Sequence, residues 1–237
     1  MWRSAVIADV TVQTHRTRTL TLAVDGWMTH RAGQHVDLRL TADDGYQAAR
    51  SYSLASGPGE PPQVTVDRLP DGEVSPYLVD IAAPGDALEL RGPVGGYFVW
   101  SPQNSPQPPV LLIAGGSGVV PLHTMLRARL HAGDDTPMRL LYSARSWDDV
   151  IYRDELRQAS SVSGVTVEFT LTRDIPPGWS GHTGRLDAAM LTELSWPATD
   201  RPDVFVCGPT RFVEAIADTL VDLGHDPAAV RTERFGG

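Results

Sequence analysis

The chain has 237 residues, 41% hydrophobic and 21% charged, with a formal net charge of −9 at pH 7. That length suits one large domain or two smaller ones, each able to bury a core, and the acidic balance speaks against a protein that grips nucleic acid or an anionic membrane by neutralising phosphates. All 20 cationic side chains are arginine, which excludes Schiff-base chemistry on lysine, pyridoxal phosphate included, and a phosphate loop built on a Walker lysine.

The chain starts with "MWRSAVIADV", which lacks a signal-peptide pattern. Apolar runs such as "VLLIA" are far too short to span a bilayer, so a cytoplasmic protein without a membrane span is expected. The first half then reads as short alternating segments: "SAVIADVTVQ", "TLTLAV", "HVDLRL", "RSYSLAS", "QVTVDRL" and "ALELRG". Turn residues separate them and no long helix intervenes, which predicts six strands in an antiparallel β-barrel or sandwich. Within "DGEVSPYL", Ser75 is placed as a helix N-cap with Pro76 at the first helical position.

Residues 101–109, "SPQNSPQPP", break the pattern. Proline fixes φ and removes donors, so neither a helix nor a central strand continues through them. Beyond them strands alternate with helical patterns. "PVLLIA" reads as a buried strand, and "PLHTMLRARL" as a helix with Leu122, Met125, Leu126 and Leu130 on one face. "MRLLYSA" is a strand, "VIYRDELRQA" a short helix and "VTVEFTL" a strand, followed by a short helix near 187–194. "DVFVC" is a strand, and "RFVEAIADTLVDLG" a helix with Phe212, Val213, Ile216 and Leu220 inward and Thr210 as its N-cap. This alternation predicts a doubly wound parallel α/β sheet.

Two strand-to-helix turns carry chemistry. In "AGGSGVVP", Gly116, Ser117 and Gly118 let the backbone approach a phosphate at a helix start, although the same glycines also suit a plain tight turn. A strict G-x-G-x-x-G is not met, because Pro121 takes the third glycine's place. A serine nucleophile elbow centred on Ser117 is disfavoured, because Val119 stands where its last glycine belongs. The second turn is "VCGP": Cys207, Gly208 and Pro209 end a strand on the sheet edge where α/β proteins bind ligands. Cys207 is the single cysteine, so an internal disulfide, a zinc knuckle and a four-cysteine iron–sulfur cluster are excluded, and no metal site is expected.

In order along the chain, "RSYSLAS", "DGEVSPYL", "RGPVGGYF", "AGGSGVVP", "YSAR", "LTR", "VCGP" and "ERFGG" resemble the ferredoxin–NADP reductase superfamily of two-domain flavin reductases. Each segment by itself is common; their order and spacing carry the resemblance. It implies an FAD-binding β-barrel over residues 1–103 and an NAD(P)-binding α/β domain over 108–237, ending in a flavin-covering tail. Arg50 would pair with the flavin pyrophosphate, Tyr52 would pack on the isoalloxazine and Ser53 would hydrogen-bond near N5. In a regular strand Arg50 and Tyr52 share a face and Ser53 points away, so the strand must bend there or Ser53 must act through its backbone. Gly72, Val74 and Ser75 would meet the pyrophosphate, and Val66, Asp67 and Arg68 would line the flavin edge. Gly116, Ser117 and Gly118 would lie under the nicotinamide nucleotide, which Cys207, Gly208 and Pro209 would place by the flavin. Phe235 would cover the flavin face, and Glu233 matches an acid near the transfer site; Ser53, Cys207 and Glu233 would position and polarise.

The implied activity is hydride transfer from NADPH to FAD N5, then electron release to a separate acceptor: a ferredoxin, a flavodoxin or an oxygenase component. Arg145 follows the second α/β strand, Arg173 follows the third and Arg185 sits in "HTGRL"; the resemblance gives them the 2′-phosphate of NADPH, and no acidic residue directly follows "LLYSA" to hold the ribose diol of NADH. NADH remains open as donor. The alternative function is a non-catalytic flavin- or nucleotide-binding electron-transfer subunit of a larger complex; an α/β methyltransferase is disfavoured by "RSYSLAS" and "VCGP".

Overall fold

A computed structural model of the chain describes residues 1–103 and 107–235. Residues 104–106 of the proline-rich break and the last two residues of the expected tail lie outside the described residues. The chain divides into two compact units, the first Met1–Trp100, the second from Ser101 on.

The first unit contains β1 (Arg3–Thr14), β2 (Thr17–Ala23), β3 (His35–Thr41), β4 (Gln47–Ser53), β5 (Gln63–Asp67), the short helix α1 (Ser75–Asp80) and β6 (Ala87–Val94). The strands pair antiparallel in the order β4-β3-β6-β1-β2-β5. Period-two alternation decides which face is buried. Ala5 and Ile7 of β1, Leu20 and Leu22 of β2, Val36 and Leu38 of β3, and Leu88 and Leu90 of β6 all enter one core. Each fully buried leucine there contributes roughly 1.5–3 kcal/mol relative to exposure. The polar face carries ion pairs instead: Arg39 with Glu89 and Arg91 with Asp37, each at 2.6 Å. Both guanidiniums lie over the ring of Trp2.

The two ends of this sheet meet inside the "RSYSLAS" segment. Ser53 is the last residue opposite β3, facing His35. Leu54 then bridges Val64 of β5, and the Ala55 amide donates to the Gln63 carbonyl at 2.7 Å. The change of partner joins the two ends of the curled six-stranded sheet directly after Ser53.

The second unit contains β7 (Val110–Gly115), α2 (Val119–Ala132), β8 (Met138–Ser146), α3 (Arg153–Ala159), β9 (Val165–Asp174), β10 (His182–Thr183), α4 (Ala188–Leu194), β11 (Asp203–Pro209), α5 (Thr210–Asp222) and β12 (Val230–Phe235). All pairings in the sheet β10-β9-β8-β7-β11-β12 are parallel. β7 is buried along its whole length, as a central strand covered on both faces must be. Strand order reverses around β7, flanked by β8 on one side and β11 on the other. The carboxyl ends at such a switch point form a crevice for ligands.

Several local expectations need correction. α2 is not a one-face helix: Leu122, Met125 and Leu126 are buried, but so are His123, Thr124 and Arg129. The segment before α3 covers its other side. His123 stacks on Tyr152 with ring centroids 4.0 Å apart, and its Nε2 lies 3.2 Å from the Glu155 carboxylate. Buried Arg129 donates to the carbonyls of Thr136 and Ser163, so its charge is hydrogen-bonded. α3 starts only at Arg153, because Tyr152 takes a left-handed φ of 57°. Thr210 is the first residue of α5, with Pro209 at the N-cap. Ser75 is likewise inside α1, with Val74 at its N-cap. The Ser75 hydroxyl accepts instead from the Leu69 amide at 3.0 Å, tying the preceding loop to the helix. α5 follows its pattern, with Val213, Ile216 and Leu220 buried. Among the described residues no helix is long and apolar enough to cross a membrane.

Candidate functional site

In the first unit, β4 brings Arg50 and Tyr52 to one face. Tyr52 is half-buried and packs against the core, while Arg50 is exposed. Burial pushes the Tyr52 phenol up to about 12, against the pull of the nearby Arg50 charge. It is therefore a neutral, flat ring at any ordinary pH. The Arg50 Nη1 donates to the Ala49 carbonyl at 2.8 Å and its Nη2 to the Glu73 carboxylate at 2.7 Å. Tyr46 donates its hydroxyl to the other Glu73 oxygen at 3.1 Å. The loop that carries Glu73 also holds Gly72, where a Cβ would lie 2.8 Å from the Ser75 hydroxyl. Only glycine fits that fold of the chain, so Arg50 and the Gly72–Ser75 loop are brought to one place through Glu73.

The other candidates in this unit divide by side chain. Val66 and Val74 are buried in the core and present only their main chain to a ligand. Asp67 is engaged by Arg16, at 2.7 and 2.9 Å, and by Thr17. Arg68 donates to Asp80 at 2.6 Å. These two side chains serve the barrel's own wall. Ser53 is half-buried at the point where the strand changes partner.

In the second unit the candidates gather at the carboxyl edge of the sheet. A 3-10 turn over Gly116–Gly118 leads directly into α2. Gly116 has φ 55° with nothing within 4 Å of a hypothetical Cβ, so it opens outward, while Gly118 is buried. A Cβ on Gly118 would stand 2.1 Å from the Cys207 carbonyl oxygen and 2.7 Å from the Gly208 amide nitrogen. A Cβ on Gly115 or on Gly208 would strike the Phe212 ring, at 2.8 and 2.7 Å respectively. The glycines at the tips of β7 and β11 thus interlock. Gly116 and Ser117 stay outside this interlock, the first exposed and the second half-buried.

Cys207 lies opposite Glu233 in the β11–β12 register, with Pro209 opposite Phe235. Burial, then the neighbouring Glu233, pushes the Cys207 thiol well above its ordinary value. Burial also pushes the Glu233 carboxyl up to about 7. Near neutral pH the pair is a protonated thiol beside a carboxyl that keeps its proton far above the usual carboxylate range. Phe235 is 39% exposed. Among the described residues there is no cluster of histidine, cysteine or carboxylate side chains fit to hold a metal ion.

The three arginines lie at the same carboxyl edge. Arg145 and Arg173 flank one break in the β8–β9 pairing, between Ala144/Leu171 and Ser146/Asp174. Arg185 follows β10, whose Thr183 pairs with Leu171. All three are exposed.

Residues 4–99 match the oxidoreductase FAD-binding domain family and residues 112–218 the oxidoreductase NAD-binding domain family. Ferredoxin–NADP reductase B of Sorangium cellulosum is 38% identical over 212 residues, covering 86% of this chain and 84% of that relative. The chain belongs to the ferredoxin–NADP reductase superfamily. Another relative, the glycine betaine monooxygenase reductase subunit of Pseudomonas aeruginosa, is 33% identical over 210 residues, 87% of this chain but 56% of its own. This superfamily member thus spans little more than half the length of that relative. The FAD/NAD-binding domain of nitric oxide dioxygenase from Vibrio cholerae superposes with a TM-score of 0.87 at 24% identity, over 99% of both chains, and shares the fold.

Reductases of this superfamily work with FAD and a nicotinamide dinucleotide, and the residues present fit both groups. An exposed guanidinium beside a neutral ring and a glycine-only loop suits a flavin diphosphate; an outward glycine at a helix start and exposed arginines suit a second nucleotide. The sequence reading missed Glu73 and Tyr46, and it placed Phe212 inward on α5 without its contact to the two glycine turns. Glu73 was visible inside "DGEVS" as a carboxylate in a segment expected to meet phosphate. The helical pattern signalled that Phe212 turns inward but not its partners, because its contact with Gly115 and Gly208 joins two distant turns.

Proposed function

We propose that the chain carries reducing equivalents from NADPH through FAD to a separate electron-acceptor protein, with an oxygenase component as the acceptor. The observation that carries this reading is the pairing of an FAD-binding and an NAD-binding domain in one chain with a single cysteine. No four-cysteine cluster forms within these residues, so the acceptor is another polypeptide or region. The relative named as a monooxygenase reductase subunit supports the choice of an oxygenase. When bound, FAD would supply the chemistry: uptake of one hydride, which carries two electrons, and their release one at a time.

The chain's own residues bind and orient. Arg50 and the Gly72–Ser75 loop hold the flavin diphosphate, and Tyr52 offers its neutral ring. Gly116 and Ser117 receive the dinucleotide phosphates at the start of α2. Cys207 presents an uncharged thiol, and Glu233 holds a proton near neutrality next to it, so this corner of the sheet carries little negative charge against an incoming nicotinamide. Exposed Arg145, Arg173 and Arg185 favour the 2′-phosphate of NADPH, and no carboxylate stands at Ala144–Ser146 to hold a ribose diol.

The test is anaerobic stopped-flow reduction of the FAD-loaded protein by NADPH and by NADH. The expected result is bleaching of the flavin band by both, with NADPH at least tenfold more efficient. Equal or better reduction by NADH removes the NADPH assignment, and a purified protein that neither contains nor takes up FAD removes the whole reading.

A further inference from the structure

We propose that Glu73 competes with the FAD diphosphate for Arg50 and so sets the flavin affinity of the chain. The inference rests on the reading that Arg50 is the diphosphate ligand. A guanidinium grips phosphate through a fork of two N–H groups. The side fork of Arg50 uses Nε and Nη2, and the end fork uses Nη1 and Nη2. Nη2 is the nitrogen that donates to Glu73 at 2.7 Å, while Nη1 is already turned to the Ala49 carbonyl. Every fork that includes Nη2 therefore meets Glu73 first.

The main chain that carries Glu73 is fixed, so its carboxylate stays within reach of Arg50. Glu73 lies between Gly72 and Val74, and that loop is held at both ends: the Ser75 hydroxyl accepts from Leu69, the Gly72 amide donates to the Leu69 carbonyl, and Val74 is buried in the core. The Tyr46 hydroxyl fixes the second carboxylate oxygen at 3.1 Å. A diphosphate that takes over Arg50 thus arrives with a carboxylate still close by, and like charges at that range repel. The pair itself is easily exchanged, since its side chains are 51% and 52% exposed and such ion pairs are weak. Glu73 consequently tunes flavin affinity without abolishing it, and it makes binding sensitive to salt.

The experiment uses the full chain stripped of flavin, with FAD titrated by quenching of flavin fluorescence. Glu73→Gln is expected to bind FAD about threefold to tenfold more tightly than the parent in low salt. That advantage is expected to shrink to less than twofold in about 0.5 M salt, where the screening length is only a few ångströms. Glu73→Thr gives the same direction with a shorter neutral side chain, and melting of the flavin-free variants reports that each is folded. Arg50→Gln separates the two layers of the argument. If it binds FAD as tightly as the parent, the diphosphate role of Arg50 is wrong. If it binds at least tenfold more weakly while Glu73→Gln binds no more tightly than the parent, Arg50 stands and the competition by Glu73 is wrong.

Discussion

Replacing Gly118 by alanine is the sharpest probe of how the sheet edge is built. The new Cβ would stand 2.1 Å from the Cys207 oxygen, 2.4 Å from its carbonyl carbon and 2.7 Å from the Gly208 nitrogen. Carbon atoms pack at about 3.5–4.0 Å, so the start of α2 and the end of β11 must part by more than an ångström. All three colliding atoms are main chain, and Cys207 is locked in register with Ala114 on one side and Glu233 on the other. No side-chain rotation relieves the clash. Overpacking usually costs about 1–3 kcal/mol, and a backbone-to-backbone collision belongs at the upper end. For a chain of this size each kcal/mol moves the melting point by roughly 2–4 °C, so G118A is expected to melt roughly 6–12 °C lower by far-UV circular dichroism. G96A is the control, since the nearest atom to its Cβ would be an Arg31 nitrogen at 3.6 Å. A melting point for G118A within about 2 °C of the parent would show that Gly118 is not wedged against β11, and the interlock described above would be wrong.

Glu233 makes stability depend on pH. Its folded value of about 7 lies above the 4.5 of an ordinary glutamate, so the folded state binds the extra proton between those values. Relative to Glu233→Gln, the parent is expected to lose up to about 3 kcal/mol of stability as pH rises from about 4.5 through 7 and to stay level above; urea melts at pH 5 and pH 8 that show a constant difference contradict this. Cys207 is 2% exposed, and burial keeps it protonated, so a thiol reagent should leave the native chain unlabelled and modify one site after unfolding. Single changes of Arg145, Arg173 or Arg185 to glutamine should weaken NADPH binding about tenfold or more where the arginine meets the 2′-phosphate, with NADH unaffected. Steady-state KM values for the two donors check this, and equal losses with both donors would assign the arginines to some other task.

Much of the architecture was legible because strong periodicity wrote it twice, once in pattern and once in turns. Five of the six strands of the first unit lie where alternation placed them, since a half-buried strand must alternate; β4 runs Gln47–Ser53, three residues ahead of the segment Arg50–Ser56, and its burial does not alternate. β7 and β11 were readable as continuous apolar runs between glycine turns. α2 misled because a helix covered on several sides loses its polar stripe: His123, Thr124 and Arg129 look like a solvent face in sequence, yet each is buried. The caps misled by one residue at Thr210 and Ser75, because a hydroxyl near a helix start has several possible amide partners, and Ser75 is taken by Leu69. The candidate site was legible as segments and not as contacts. The joining of Arg50 to Glu73 spans 23 residues and that of Gly115 to Phe212 nearly a hundred, distances over which a single sequence offers no pairing rule.

The switch of partner between Ser53 and Leu54 has a mechanical meaning. Residues up to Ser53 are stitched to β3, Leu54 holds both sides through its amide to the Gln34 carbonyl and its bridge to Val64, and the Ala55 amide goes to Gln63 of β5, so this short stretch is the clasp of a belt. A ligand that seizes Arg50 and Tyr52 grips the belt beside its clasp. Its binding free energy then adds to the resistance against opening. Amide hydrogens of Leu54 and Ala55 should exchange more slowly once FAD is bound, even though neither side chain need touch it. A motif that looks like a recognition surface is at the same time the fastening of the barrel.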